Sequence, residues 1–394
     1  MAGAGGFATV ANAAGATSAA TTMHDPALAR LIDQVRAAKA RKTTLDIQGC
    51  GSKAFYGEAA RGSQPLPLRE LAGISSYEPS ELVVTVRAGT PIVELEEALA
   101  EQNQCLAFEP PRFGAHGQGG PDSATGTVGG MVAAGLAGPA RASVGGVRDF
   151  VLGATLLNGR AEVLSFGGQV MKNVAGYDVS RLLAGSLGIL GVILEVSLKV
   201  LPKAPATTTL RFDLDEAEAL RRLHTWGGEP LPLNASAWWE RALVVRLSGA
   251  VAAVQAAAKK LGGEVIEPTL AATFWRGLRD HRDEFFVSAA AATQGSACLW
   301  RLGVPATTPP MKLPGEQLVE WGGVQRWLCT GAPAAAVREA ATVVGGHATL
   351  FRARDKSGGV FAPLSPPLAR IHRELKRAFD PERLFNPGRL YPDL

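Results

Sequence analysis

The chain has 394 residues, of which 46% are hydrophobic, and its formal net charge is +4. A single hydrophobic core rarely extends over that length, so we expect at least two domains. The 40 basic residues nearly balance the 36 acidic ones, and no basic cluster is interleaved with aromatic residues, which argues against a nucleic-acid-binding protein.

Cysteine usage and hydropathy narrow the class further. The chain has no CxxC pair, and its four cysteines are widely separated: Cys50, Cys105, Cys298 and Cys329. Isolated cysteines favour reduced thiols in a cytosolic compartment and argue against an iron–sulfur cluster or structural zinc in this chain. In the apolar run 182–201, Glu195 and Lys199 recur at strand spacing, so we predict no transmembrane segment.

The first elements follow an uncharged leader. Residues 1–22 are mostly Ala, Gly, Thr and Ser, and we predict a disordered N-terminal extension over residues 1–24. Asp25 followed by Pro26 is typical of a helix start, and the apolar spacing predicts a helix to about Ala40. A short strand from Leu45 comes next.

That strand runs into the loop Gly49-Cys50-Gly51-Ser52-Lys53. A glycine-rich turn of this kind can align backbone N–H groups around an anion, and Ser52 and Lys53 can donate to a pyrophosphate. The alternative is a tight turn without a ligand. Cys50 is either a thiol that touches the ligand or a small buried residue.

The densest glycine region lies between Pro111 and Gly146, with eleven glycines in 36 residues. Here Gly126 and Thr127 precede Gly129-Gly130, which we expect to open a helix of small residues over 131–137. Such a helix start suits a phosphate or a flat ring, and it equally suits close helix–sheet packing. We expect both. Arg141 is the fixed cation nearby, and Gly145 follows it.

A hairpin and a long strand complete the N-terminal half. Asn158-Gly159 between two apolar runs predicts a β-hairpin. In the segment 171–201, glycines recur at Gly185, Gly188 and Gly191, where a side chain would keep a flat ligand away from the backbone. A strand then begins at Val192 and Ile193 and alternates with a period of two.

The second half of the chain has a different pattern, in which predicted strands and helices follow one another. Strands are predicted at 208–214, 242–248, 298–304, 317–321 and 325–329, with helices at 215–226, 251–261 and 366–379. All seven tryptophans fall between Trp226 and Trp327, as expected for core packing, a substrate pocket or a protein interface. Neighbouring strand residues face opposite ways, so one of Trp238 and Trp239 should be exposed or in an interface.

Two stretches of the sequence resemble a known family. KNVAGYDVSRLLAGSLGILGVI and the ending FDPERLFNPGRLYPDL resemble the FAD-binding domain of the vanillyl-alcohol oxidase and p-cresol methylhydroxylase superfamily. More closely, residues 25–394 resemble the FAD-binding subunits of bacterial glycolate oxidase (glycolate dehydrogenase). Relative to that pattern, Gly114–Ser123 looks like an insertion. It is either a flexible loop or the carrier of a catalytic His116.

The resemblance implies an α+β fold. A p-cresol methylhydroxylase (PCMH)-type FAD-binding domain of two small mixed sheets with helices is expected over 25–203. A smaller cap domain with an antiparallel sheet is expected over 204–345, and the segment 346–394 should return to the FAD domain. The implied cofactor-binding residues are Gly49, Cys50, Gly51, Ser52, Lys53, Gly126, Thr127, Gly129, Gly130, Arg141, Gly145, Gly188, Val192 and Ile193. The FAD should be non-covalent, because Gly51 occupies the position where relatives carry the attaching histidine.

The resemblance also shows what is missing. Catalytic subunits of the lactate and glycolate branch carry a segment of the HxGDGNxH kind, whereas this chain reads GGHATLF at 345–351. His347 is at most a remnant of the first ligand, so we predict no catalytic residue and no metal site. Arg352 and Arg354 could clamp a carboxylate, or simply be solvated.

The resulting hypothesis is an FAD-binding subunit that works beside a catalytic flavoprotein subunit and an iron–sulfur subunit. The complex would oxidise glycolate, a small 2-hydroxy acid, to glyoxylate. We expect a cytoplasmic location, or a peripheral one at the inner face of the membrane through the complex. Two alternatives remain: a stand-alone FAD-linked 2-hydroxy-acid dehydrogenase, and a structural subunit that has lost the flavin.

Overall fold

The computed structural model describes residues 25–59, 63–114, 126–168 and 178–394. These residues form mixed helices and mainly antiparallel sheets, which confirms the predicted α+β class. The extension 1–24, His116 and the segment 169–177 lie outside the described residues. We call 25–203 the N-terminal region and 204–352 the central region.

Three small sheets build the N-terminal region. Their strands are β1 (Leu45–Gln48), β2 (Gln64–Pro67), β3 (Ile74–Glu78), β4 (Val83–Arg87), β5 (Gln104–Cys105), β6 (Val151–Leu157), β7 (Val163–Gly167), β8 (Val192–Lys199) and β9 (Leu201–Pro202). The main sheet has the order β3-β4-β8-β6-β7 and is antiparallel throughout, whereas β1 and β2 pair in parallel and β5 pairs with β9. Parallel pairing is therefore confined to the β1–β2 sheet, and the other two sheets are antiparallel.

Strand β8 is central in the main sheet and is buried on both faces. The alternation from Val192 predicted one buried face. Ile193, on the opposite face, is also buried, because both faces of the strand pack in the core of the N-terminal region. The hairpin predicted at Asn158-Gly159 is present, with Leu157 paired to Val163. Its loop is five residues long, since Asn158 N–H donates to the Glu162 carbonyl.

The helices of this region are short apart from the first. They are α1 (Pro26–Arg41), α2 (Ile92–Glu101), α3 (Val128–Ala134), α4 (Arg141–Val144) and α5 (Val147–Phe150). Asp25 caps α1 as predicted, because its carboxylate accepts the N–H groups of Ala27 and Leu28. Thr90 does not cap α2, because its hydroxyl donates to the carbonyls of Gly73 and Arg87.

The central region is one eight-stranded antiparallel sheet with helices on both faces. Its strands are β10 (Ala206–Asp213), β11 (Leu233–Trp239), β12 (Ala242–Gly249), β13 (Glu264–Ile266), β14 (Cys298–Gly303), β15 (Glu316–Glu320), β16 (Gln325–Thr330) and β17 (His347–Arg352). Its helices are α6 (Glu216–Gly227), α7 (Val251–Leu261), α8 (Pro268–Asp280), α9 (Glu284–Ala292) and α10 (Ala334–Val343). The strand order is β13-β10-β12-β11-β15-β16-β14-β17.

Both faces of this sheet are covered, which rules out the exposed alternative for Trp238 and Trp239 and leaves the interface alternative a prediction. Helices α6, α7 and α10 pack on one face, and α8, α9 and the N-terminal region pack on the other. Trp238 and Trp239 point to opposite faces, yet each is half-buried. Their indole N–H groups donate to the Leu214 carbonyl and to Glu316 respectively. Neither is exposed.

After β17 the chain returns to the N-terminal region through helix α11 (Pro366–Phe379). Strand β17 still belongs to the central sheet, so the boundary predicted at 345 cuts off one strand. Leu384 and Phe385 are buried in the core of the N-terminal region, and Leu45 N–H donates to the Leu384 carbonyl at 2.7 Å. On α11, Leu368 and Ile371 share a side of the helix but remain exposed.

Candidate functional site

A cavity of about 1130 Å³ lies between the N-terminal region and the returning C-terminal segment. Small-molecule pockets typically measure about 300–1,000 Å³, so this one suits a ligand as large as a dinucleotide. The predicted site residues that line it are Gly49, Cys50, Gly51, Ser52, Lys53, Thr127, Gly129, Gly130, Gly188 and Ile193. Three segments that are distant in sequence, 49–53, 127–130 and 188–193, therefore line one cavity, as the sequence predicted.

The loop after β1 offers free backbone donors to this cavity. Within the described residues, no carbonyl accepts the N–H groups of Gly51, Ser52 or Lys53. Gly51 has a φ of +70°, the left-handed conformation that such anion-binding turns use. A Cβ on Gly49 would lie 2.3 Å from the Thr127 hydroxyl oxygen, so the loop packs directly against the start of α3.

Lys53 is the feature of the cavity that most needs a ligand. Its Nζ is fully buried, and no hydrogen-bond acceptor contacts it in the part of the chain that the structure describes. Burial lowers the pKa of Lys53 to about 8, although Cys50 and Asp280 oppose the shift. A buried ammonium without an acceptor is costly, and a bound anion would remove that cost.

Helix α3 contributes differently from the prediction. It begins at Val128 and has seven residues, and its first N–H groups already have acceptors. Val128 donates to the Thr90 carbonyl, Gly129 to the Ala88 carbonyl and Gly130 to the Thr127 hydroxyl. The helix start therefore has few free N–H groups that could donate to a phosphate. It contributes open space for a ligand instead.

The two glycines of α3 do separate jobs. A Cβ on Gly129 would lie 2.7 Å from the Ala88 Cβ, so this glycine permits close packing of the helix on the sheet. A Cβ on Gly130 would meet only the Thr127 hydroxyl at 3.2 Å and would otherwise project into open space. Close packing thus accounts for Gly129, and room for a ligand accounts for Gly130.

The C-terminal segment closes the cavity on the far side, and sequence reasoning missed its role. Asn386 accepts the Ile47 N–H at 2.8 Å and donates to the Leu187 carbonyl at 2.7 Å. Gly188 has a φ of +74°, and a Cβ there would lie 2.7 Å from the Asn386 amide nitrogen. Arg389 donates to the Ala54, Tyr56 and Glu58 carbonyls, which fixes the chain beyond the loop. The turn Asn386-Pro387-Gly388 was the available signal.

Four predicted residues are not part of the cavity lining. Gly126 lies beside it, since a Cβ there would be 3.1 Å from Lys53 Nζ. Val192 is buried in the strand, and Gly145 packs against Asp149. Arg141 lies under the Trp321 ring, with 4.7 Å between its guanidinium carbon and the ring centroid. Their roles toward a cofactor stay predictions.

Cationic and aromatic residues gather where the central sheet meets the cavity wall. Tyr56 lines the cavity and accepts a hydrogen bond from Arg301 at 3.0 Å. Arg354 and Lys356 also line it, and Arg354 is exposed, in keeping with its predicted solvation. Arg352 lies over the Phe55 ring at 3.7 Å, and burial lowers its pKa to about 10.

No histidine is among the described residues that line the cavity. His281 is half-buried and stacked on Phe286 at 3.8 Å, and desolvation of its imidazole, then Arg352 and Arg301, hold its pKa well below the usual value. His347 lies at the exposed start of β17. Among the described residues, no group of three or more His, Cys, Asp or Glu is placed to hold a metal ion.

The residues present fit a dinucleotide with an anionic pyrophosphate. The fit rests on the unpartnered Lys53 ammonium, the free N–H groups of 51–53 and the open space at Gly130.

Within the described ranges, no helix is long and apolar enough to cross a bilayer.

Comparisons with known proteins indicate the class of cofactor. Residues 28–167 match the family described as FAD binding domain. A solved structure of alkyldihydroxyacetonephosphate synthase superposes with a TM-score of 0.61 at 14% identity, covering 91% of this chain and 74% of that one, which supports the fold alone. Glycolate oxidase subunit GlcD of Bacillus subtilis (strain 168) is 29% identical over 38% of this chain and 30% of its own length.

A further relative covers almost the whole chain. Glycolate oxidase subunit GlcE of Escherichia coli (strain K12) is 46% identical over 364 residues, which are 92% of this chain and 97% of the relative. The resemblance seen in the sequence is therefore confirmed, and with it FAD as the cofactor. The chain belongs to the family of glycolate oxidase subunit GlcE.

Proposed function

We propose that this chain is the FAD-carrying subunit of a multi-subunit glycolate oxidase that converts glycolate to glyoxylate. The observation that carries the proposal is the cavity around Lys53 in a chain that matches a GlcE relative along nearly its whole length. In the complex it would act beside a catalytic flavoprotein subunit and an iron–sulfur subunit. Its location would be cytoplasmic, or peripheral to the membrane through those partners.

The residues of the chain have distinct parts in this proposal. Lys53 and the N–H groups of 51–53 would hold the pyrophosphate, and Gly130 would leave room for the cofactor to lie against α3. Bound FAD supplies a two-electron acceptor. The attachment would be non-covalent, because Gly51 occupies the position where some relatives carry the attaching histidine.

The two alternatives are less well supported. A flavin-free structural subunit would have no use for a buried lysine without an acceptor beside an open cavity. A stand-alone dehydrogenase needs a general base near the substrate. In the described chain, His281 is enclosed by aromatic rings and His347 stands exposed at a sheet edge.

Lys53 gives a pH-dependent prediction for the cofactor. Without a ligand its pKa is about 8, and a bound pyrophosphate raises that value. The complex then holds more protons than the free chain above pH 8, so FAD affinity should fall as pH rises from about 8 toward 10. Lys53→Met should weaken FAD binding by about tenfold or more and flatten this pH dependence, as measured by flavin fluorescence titration.

The melting temperature of the flavin-free protein provides the control. Lys53→Met removes a buried unpaired amine, so the flavin-free variant should be at least as stable as the parent. A variant that bound FAD normally with the same pH profile would show that Lys53 does not face the cofactor.

A division of labour between subunits gives a second prediction. General-base assistance typically contributes about 10²–10⁴-fold, so this chain alone should reduce its flavin with glycolate only slowly. Anaerobic stopped-flow mixing of the purified flavin-loaded chain with glycolate measures this rate. The same experiment on the chain co-purified with both partner subunits should give fast reduction. Rapid bleaching by glycolate without partners would instead favour the stand-alone dehydrogenase.

A further inference from the structure

The segment that follows the cofactor loop, residues 54–58, depends on two cationic side chains for its hydrogen bonds. It belongs to no helix or strand, so no regular element satisfies its backbone carbonyls. Arg389 donates to the carbonyls of residues 54, 56 and 58. Lys356 donates to those of residues 55 and 57, the second at 3.0 Å. All five consecutive carbonyls therefore accept a hydrogen bond from a cation, and neighbouring carbonyls never share a donor.

These two cations come from parts of the chain that follow the loop by about 300 residues or more. Lys356 lies between β17 and α11, and Arg389 lies beyond α11. Two further bonds join the same parts to Glu58. Its carboxylate accepts the Val360 N–H at 2.6 Å, and its own N–H donates to the Arg389 carbonyl at 3.0 Å. The end of the chain thus holds this segment through its backbone and its acidic side chain.

Placing two cations here opposes their charged forms. Both side chains are half-buried and line the cavity. Within the described residues, neither forms a salt bridge with a carboxylate. Burial, and after it the charge of Arg389, lowers the pKa of Lys356 to about 8, although Glu58 opposes the shift. The hydrogen bonds to the carbonyls of 54–58 offset this cost, so the arrangement stabilises one conformation of the segment.

That conformation is linked to the turn that offers N–H groups to the cavity. The carbonyls of Gly51 and Lys53 accept the N–H groups of Ala54 and Tyr56, both at 3.0 Å. A displacement of 54–58 would break these bonds and redirect the free N–H groups of 51–53. A turn that is held in place loses less conformational entropy when a ligand binds than a mobile one does.

We propose that Lys356 and Arg389 are positioning residues for the cofactor, which hold residues 54–58 so that the N–H groups of 51–53 face the FAD pyrophosphate before it binds. Neither side chain has to touch the cofactor. FAD binding and docking of the chain's C-terminal end are then coupled, because both favour the same conformation of the loop. The inference rests on the proposed function, in which the turn 51–53 holds the pyrophosphate.

Lys356→Met and Arg389→Met, each in the full chain, test this role. Hydrogen exchange of the flavin-free proteins, followed by mass spectrometry, should be faster over residues 51–58 in both variants than in the parent. Flavin fluorescence titration should give a Kd for FAD that is at least about tenfold higher, as expected for a turn that is correctly ordered only about a tenth of the time. Lys356→Met carries the test if Arg389→Met does not fold.

Two further variants separate positioning from a general loss of stability. Arg160→Met is the matched control, because Arg160 also donates to a carbonyl near the end of α11, that of Ala378 at 3.0 Å, but is not part of the cavity lining. It should bind FAD and exchange as the parent does. Arg389→Lys keeps a cation beside the three carbonyls, so it should recover part of the affinity that Arg389→Met loses.

Three results would overturn the role. Both methionine variants could bind FAD as tightly as the parent. They could bind FAD weakly with unchanged exchange over 51–58, which would mean that the cations contact the cofactor instead of holding the loop. Arg160→Met could lose FAD equally, which would indicate general destabilisation. A parent that took up no FAD, while the methionine variants still loosened the loop, would refute the proposed function and leave the hold on the loop standing.

Discussion

Replacing Lys376 with methionine is expected to destabilise the protein by about 3–5 kcal/mol, because it leaves a carboxylate buried without its cation. Lys376 and Asp380 have side-chain exposures of 2% and 0%, and their charged atoms are 2.8 Å apart. Lys376 also donates to the Ile189 carbonyl at 2.7 Å and to the Phe385 carbonyl at 2.9 Å. These hydrogen bonds hold helix α11 and the turn that contains Phe385 against the segment before β8.

Urea unfolding at constant pH measures this effect. The pair Arg377 and Glu374 on the same helix is a matched control, because both side chains are exposed, and Glu374→Gln should change stability by less than about 1 kcal/mol. Adding Asp380→Asn to Lys376→Met should recover part of the loss by removing the unpaired charge. A Lys376→Met protein as stable as its parent would mean that α11 is not held by this pair.

Replacing Gly130 with valine is expected to abolish detectable flavin binding while the fold is kept. The added side chain would project into the cavity, with only the Thr127 hydroxyl nearby at 3.2 Å. Valine is no worse than glycine in a helix, so the substitution itself should not destabilise α3. Flavin absorbance of the purified variant, with circular dichroism for the fold, measures both effects.

Gly129→Ala provides the contrast. Its Cβ would lie 2.7 Å from the Ala88 Cβ and 3.0 Å from the Ala88 carbonyl oxygen, so we expect about 1–3 kcal/mol of destabilisation. Flavin binding should survive at temperatures where this variant is folded. If Gly130→Val purified with a full complement of flavin, the cofactor would not lie against α3.

Local patterns in the sequence predicted most of the elements because their causes are local. Asp25 and Pro26 start α1, Asp215 caps α6, and helix α7 has the predicted bounds of Val251–Leu261. The loop at 49–53 was likewise recognisable from its glycines. Each of these features depends on residues within a few positions of one another.

The errors concern partners that are distant in sequence. Trp238 and Trp239 are both half-buried because helices pack on both faces of the central sheet, and nothing near 238 indicates that. Thr90 lies just before α2, yet its hydroxyl donates to a carbonyl 17 residues away, at Gly73. The orphaned ammonium of Lys53 depends on the closure of the cavity, which no local pattern reveals.

The site was predicted on one side only. The glycine-rich loops identified the wall that the N-terminal region provides, whereas Asn386 and Arg389 reach the cavity from the end of the chain. Arg301 was not considered, because nothing near it in the sequence distinguishes it from the other arginines. Only the pairing of β14 with β17 makes His347 its neighbour.

The ratio of flavin to protein in the purified chain, before and after acid precipitation, shows whether this chain carries non-covalent FAD. We expect close to one FAD per chain, all of it released into the supernatant by acid. A chain that purified without flavin, and took none up from added FAD, would contradict it. Flavin that stayed in the precipitate would contradict the non-covalent attachment.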